Sequence, residues 1–106
     1  MDYEITPQEV TQRQERNEAL TILDVREPWE RQTASIGGSL HIPLGDIPSR
    51  LPELDPEQHI LVYCHHGVRS LSVTDWLRKQ GFEKVQSISG GIDRWSLEID
   101  PRVPRY

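Results

Sequence analysis

Apolar residues in this chain fall into short runs separated by proline, glycine and charged positions, and the longest run, Ile60-Leu61-Val62-Tyr63, leads into the only cysteine. Four consecutive apolar or aromatic residues suit a strand buried on both faces, as at the centre of a parallel sheet. Thr21 to Val25, Leu40 to Ile42 and Val85 to Ile88 predict three more strands, and Tyr3 to Ile5 a short edge strand. Helical signals alternate with them. Thr6-Pro7-Gln8-Glu9 reads as a capping box with proline at the first helical position, opening a helix to about Arg16, and Pro28 fits the first turn of the next. Leu44, Ile47, Leu51 and Leu54, three and four residues apart, predict a short amphipathic helix interrupted by proline. Leu71 to Gln80 carries apolar side chains at Leu71, Val73, Trp76 and Leu77, with Ser70 as the expected N-cap and Gly81 as the stop. The Gly90-Gly91 turn precedes a closing helix around Ile92 to Leu97 with Trp95 in the core, and residues 98–106 are expected to be an extended tail.

With 106 residues, the chain fits one domain, residues 1–106, able to bury roughly 60–70% of its unfolded surface. Seventeen acidic against twelve basic residues give a net charge of −5, which argues against a nucleic-acid binder, and no basic run suggests a membrane surface. A lone cysteine excludes an internal disulfide and a paired-cysteine zinc site, so a reducing compartment is the natural home. No stretch approaches the roughly 20 apolar residues that span a bilayer, and the acidic start lacks an apolar signal core, so a cytoplasmic location is expected.

Cys64 stands where chemistry is expected. It closes a core strand, at the sheet edge where strand-to-helix loops of α/β proteins bind ligands, and it lies just before a helix N-terminus, whose free amides and dipole favour negative charge. Gly67 permits the loop N–H groups to converge into an anion-binding nest, and Arg69 adds a permanent positive charge with planar donors. A cysteine so placed should ionise readily and attack as thiolate. His65, Val68 and Ser70 are expected to contribute backbone N–H groups. His65 and His66 would line the loop mouth, where a protonated imidazole attracts an anionic donor; adjacent side chains cannot easily converge on one ion, so no metal is expected. Asp24 and Arg26, near a strand end, read as a structural ion pair in preference to catalytic groups.

Cys64-x-x-Gly67-x-Arg69-Ser70 resembles the active-site loop of the rhodanese family of sulfurtransferases. The likeness extends to Ile22-Leu23-Asp24-Val25-Arg26-Glu27-Pro28-Trp29-Glu30, to Leu40-His41-Ile42-Pro43-Leu44 and to Gly90-Gly91-Ile92-Asp93-Arg94-Trp95. Ser35 departs from the pattern, standing where the family tends to have histidine. The resemblance implies an α/β, rhodanese-like fold, with a central, mainly parallel five-stranded sheet and helices on both faces. It also implies sulfane-sulfur transfer from thiosulfate or a protein persulfide, through a Cys64 persulfide, to cyanide, a thiol or a sulfur-carrier protein. His65, His66, Gly67, Val68, Arg69 and Ser70 would bind the substrate, with no metal or organic cofactor required. Phosphatase and arsenate reductase relatives resemble Cys-x5-Arg, one residue longer than the Cys-x4-Arg here, so that activity is the less favoured alternative, beside a non-catalytic binding module. Ile99-Asp100-Pro101 and Val103-Pro104-Arg105-Tyr106 are similar to the end of the rhodanese-like domain fused behind adenylyltransferases of the molybdopterin-synthase and thiamine sulfur-carrier type. These residues contain no Gly-rich dinucleotide fingerprint, so the chain fits an excised domain or a stand-alone relative.

Overall fold

The computed structural model describes residues 1–106. Five strands, β1 (Glu4–Ile5), β2 (Leu20–Asp24), β3 (Leu40–His41), β4 (His59–Tyr63) and β5 (Val85–Ile88), form one sheet in the order β1-β5-β4-β2-β3. All four pairings are parallel, so the carboxyl ends of the strands share one edge. The helices are α1 (Pro7–Glu15), α2 (Pro28–Thr33), α3 (Ile47–Arg50), α4 (Val68–Lys79) and α5 (Gly91–Glu98). The proline-punctuated segment becomes α3 flanked by 3-10 turns at Leu44–Asp46 and Leu51–Glu53. Thr6 caps α1 as expected, its side chain accepting from Glu9 N–H at 3.2 Å, and Pro7 and Pro28 open their helices.

β4 is central, and the two-residue period of a strand sends its side chains into two cores. Ile60, Val62 and Cys64 join Val73 and Leu77 of α4, with Ile47 and Leu54, on one face; Leu61 and Tyr63 join Val10, Ile92 and Trp95 of α1 and α5 on the other. Because Cys64 continues the even-numbered set, its side chain falls on the α4 side, beneath the start of that helix. The terminal residues turn, with Val103 N–H donating to Asp100 O at 3.1 Å, and dock back on the domain, where Ser96 Oγ donates to Val103 O at 2.6 Å. No helix is long and apolar enough to cross a membrane.

Candidate active site

The loop that leads into α4 departs from β4 at Cys64, which is 1% exposed. Its sulfur accepts the Gly67 N–H at 3.1 Å and the Ser70 N–H at 3.4 Å. Two amides on one sulfur stabilise an anion there, and both belong to the opening turn of α4. That turn begins earlier than the sequence pattern predicts. The helix starts at Val68 with Gly67 as N-cap, at φ +108°, so Ser70 lies inside the helix and is not its cap. The left-handed backbone at Gly67, a conformation that residues with a side chain rarely adopt, turns the chain sharply enough to begin the helix at once. Ser70 Oγ, freed from capping, lies 3.4 Å from the Cys64 sulfur, 3.2 Å from Gly67 O and 2.7 Å from Ser87 Oγ.

Arg69 points across to α2. Its Nη1 donates to Glu30 Oε1 at 2.7 Å and its Nη2 to Glu30 Oε2 at 2.9 Å, in fork-to-fork geometry. Glu30 is nearly buried, and the Arg69 guanidinium holds its carboxyl down to about 2, further helped by the Tyr106 phenol that donates to Oε2 at 2.6 Å. Arg69 in turn is raised above its ordinary value by Glu30. Its charge is therefore largely compensated within the protein before any donor arrives.

His65 is sandwiched. Its ring stacks on Tyr106 at 3.9 Å with 9° between planes and on His66 at 3.9 Å with 29°. Burial, and then the neighbouring His66, pull its pKa below the ordinary histidine value, so neutral imidazole is favoured and His65 is poorly suited to attracting an anion at neutral pH. His66 is open to solvent, with Nδ1 3.9 Å from Asp93 Oδ2. Val68 is 81% exposed beside the cysteine.

The far wall of the loop is the Gly90-Gly91 turn. Ile92 N–H donates to Cys64 O at 2.9 Å and Asp93 N–H to His65 O at 3.1 Å, so α5 fastens the loop's carbonyls while α4 supplies its amides to the sulfur. The approach is so close that a Cβ on Gly91 would come within 2.5 Å of both carbonyl oxygens. Beneath the loop Arg26, fully buried, donates through Nε and Nη2 to Asp24 at 2.8 Å each, through Nη2 to Ala34 O at 2.6 Å and through Nη1 to Tyr106 Oη at 2.9 Å. Burial alone would raise the Asp24 carboxyl, but the Arg26 hydrogen bonds and charge outweigh it and hold it low. Neither side chain is hydrogen-bonded to the sulfur, and the two form a buried ion pair.

The chain matches known proteins over nearly its whole length. The Rhodanese-like domain family matches residues 6–98. The chain belongs to that family. It is similar to the sulfurtransferase of Allochromatium vinosum, 31% identical over 94% of each chain. The thiosulfate sulfurtransferase GlpE of Coxiella burnetii is 36% identical over 72% of this chain and 71% of that protein. Rhodanese-like/PpiC domain-containing protein 12, chloroplastic, of Arabidopsis thaliana is 42% identical over 80% of this chain, which spans only 30% of that longer protein. The crystal structure of a rhodanese-related protein from Thermoplasma volcanium superposes with a TM-score of 0.85 at 30% identity, covering 99% of this chain and 100% of that one.

Within this rhodanese-like domain the structure brings Cys64, Gly67, Ser70 and Arg69 to one helix start, and leaves the His66 ring and Val68 at the rim. Four residues adjoin the loop that sequence reasoning did not assign to it. Glu30 lies within the matching family segment, but its pairing with Arg69 has no local signal. Gly91 was read as a turn, and its role in fastening the loop follows only from the packing of α5. Tyr106 and Ser87 reach the site from the terminal segment and from β5.

Proposed function

We propose that this rhodanese-like domain is a sulfurtransferase in which Cys64 is the nucleophile. The Cys64 thiolate attacks the outer sulfur of thiosulfate or of a protein persulfide, the donor's inner sulfur leaves with the electron pair of the broken S–S bond, and Cys64 becomes a persulfide. A nucleophilic acceptor, cyanide or a thiolate, then attacks the outer sulfur, and the S–S bond to Cys64 breaks with its electron pair returning to the Cys64 thiolate. The observation that carries the reading is the placement of the Cys64 sulfur under the Gly67 and Ser70 amides, where a sulfur anion finds two donors.

His66, Val68 and Arg69 would form the rim that meets the donor, with the loop backbone from His65 to Ser70 as the cradle. The Cys-x4-Arg spacing disfavours the phosphatase alternative, since a phosphate ester needs a wider ring of amides. The test is intact mass after thiosulfate without reductant: a gain of about 32 Da, removed by cyanide, is expected from a persulfide. An unchanged mass would favour a non-catalytic binding module.

A further inference from the structure

Three side chains of neutral chemistry run from the interior of the sheet to the nucleophile. Ser87 on β5 and Ser70 on α4 are fully buried, their hydroxyl oxygens are 2.7 Å apart, and Ser70 Oγ lies 3.4 Å from the Cys64 sulfur. The Ser87 hydroxyl has no other side-chain partner, while its backbone N–H is spent on Tyr3 O at 2.7 Å. A buried hydroxyl proton needs an acceptor, and Ser70 Oγ is the one within reach. If Ser70 donated to Ser87 instead, the Ser87 proton would be stranded in the dry interior. Ser87 is therefore the donor.

We propose that Ser87 is a positioning residue for sulfur chemistry at Cys64: by donating to Ser70 Oγ it reserves the Ser70 proton for the sulfur whenever that sulfur is anionic. The hydrogen bonds close in both states. With Cys64 as thiol, S–H donates to Ser70 Oγ, which accepts a second bond from Ser87 and gives its own proton to Gly67 O at 3.2 Å. When the thiol proton leaves to solvent, the Ser70 hydroxyl rotates from Gly67 O to the sulfur and keeps its single proton. Gly67 O stays satisfied, because Leu71 N–H donates to it at 3.1 Å. Donation from Ser87 polarises the Ser70 O–H and strengthens its bond to the anion. The charged and titratable groups around the loop are Arg69 of α4 with Glu30 of α2, His65 and His66 of the loop, Asp93 of α5 and Tyr106 of the terminal segment, and none of them bonds to Ser87. The inference deepens the sulfurtransferase reading, yet its test needs no sulfur transfer.

The single cysteine makes iodoacetamide alkylation, followed by intact mass, a direct readout of thiolate at Cys64. Rates are measured between about pH 5 and 10 in wild type, Ser87→Ala, Ser70→Ala and the double variant. Ser87→Ala is expected to move the midpoint upward and slow alkylation at neutral pH about two- to fivefold, with Ser70→Ala having the larger effect. In the Ser70→Ala background, Ser87→Ala should add nothing, because Ser87 acts only through Ser70. Ser87→Thr and Ser87→Val, equal in shape but differing in the hydroxyl, separate packing from hydrogen bonding, and the threonine is expected to keep the lower midpoint of the two. A wild-type midpoint in Ser87→Ala, a shift that persists without Ser70, or equal midpoints in threonine and valine variants would overturn the proposal. Absence of a thiosulfate-dependent mass gain in wild type, with the coupling intact, would sink the transferase reading alone.

Discussion

Arg69 and Glu30, 39 positions apart in the chain, meet in a bidentate pair at 2.7 and 2.9 Å that ties α4, the helix that follows Cys64, to α2. The site's one loop cation is thereby committed to a protein carboxylate, and the energetics of the site turn on that pair.

Arg69→Ala is expected to strand the nearly buried Glu30 carboxylate and lower stability by about 1–3 kcal/mol in urea melts, below the figure for a fully dry pair because Arg69 is partly exposed. The double variant Glu30→Gln/Arg69→Ala should lose less than the two single losses added. Arg69→Lys should recover only part of the stability and of the thiosulfate-dependent mass gain, since an ammonium lacks the planar fork. Full persulfide formation in Arg69→Ala would show that the loop amides bind the donor unaided.

The pair has a defined pH window. Glu30 is held at about 2 in the folded chain against an ordinary value of 4.5, so the folded state favours the carboxylate. Its contribution is fully present above the ordinary value and is lost as pH falls through the folded one. The stability difference between wild type and Glu30→Gln should therefore stay constant from neutral pH down to about 5 and close between about 4.5 and 2. A gap that closes near neutral pH instead would rule out Glu30 as its source.

Gly91→Ala places a methyl group 2.5 Å from Cys64 O and from His65 O, at φ +60°. Backbone cannot yield as a side-chain tip can, so the expected loss is about 2 kcal/mol or more, with the loop displaced. Differential scanning calorimetry and Cys64 alkylation should change together. An unaltered melt with unaltered alkylation would mean that α5 does not fasten the loop.

Tyr106→Phe removes the phenol that donates to Glu30 and accepts from Arg26 but retains the ring on His65 and its edge contact with Trp29. Burial, followed by the Glu30 carboxylate, pushes this phenol up to about 12, so it remains a donor through the whole range of ordinary assays. A loss of about 1 kcal/mol is expected for phenylalanine and a larger one for Tyr106→Ala, which also forfeits the stacking. Equal melting of the two variants would indicate that the ring contributes nothing.

Loop length supplies a final discriminator. Insertion of glycine after His66 should widen the ring of amides and weaken persulfide formation by on the order of a hundredfold, as a shift of about 1 Å in a catalytic cradle can. The unmodified protein should leave an aryl phosphate intact; steady hydrolysis of that ester would reverse the choice between the two enzyme classes.

All five strands, the Thr6 cap, the helix start at Pro28 and the buried Trp95 were legible in the sequence, because each depends on a local pattern: a period of two, a proline at a helix start, an apolar run between breakers. The strand leading to Cys64 and the glycine after it belong to the same class of signal. The start of α4 was misjudged by three residues for a local reason as well. Gly67 in the left-handed region can open a helix without a side-chain cap, and the pattern reading preferred Ser70, the residue whose hydroxyl suits that task.

What only the tertiary structure decided is which distant side chains meet at the loop. The order β1-β5-β4-β2-β3 sets β2 and β5 on either side of β4, bringing α2 with Glu30 to Arg69, β5 with Ser87 to Ser70, and the Gly91 turn to the loop carbonyls. Tyr106 arrives by a turn after α5, 76 positions from the Glu30 it bonds. Pairings at such separations leave no periodic trace, because burial patterning records only that a position faces the interior and not what stands opposite it. Amino-acid sequence alone thus determined the strand that ends in Cys64 and the helix that follows; the packing of neighbouring strands determined which groups stand around its sulfur.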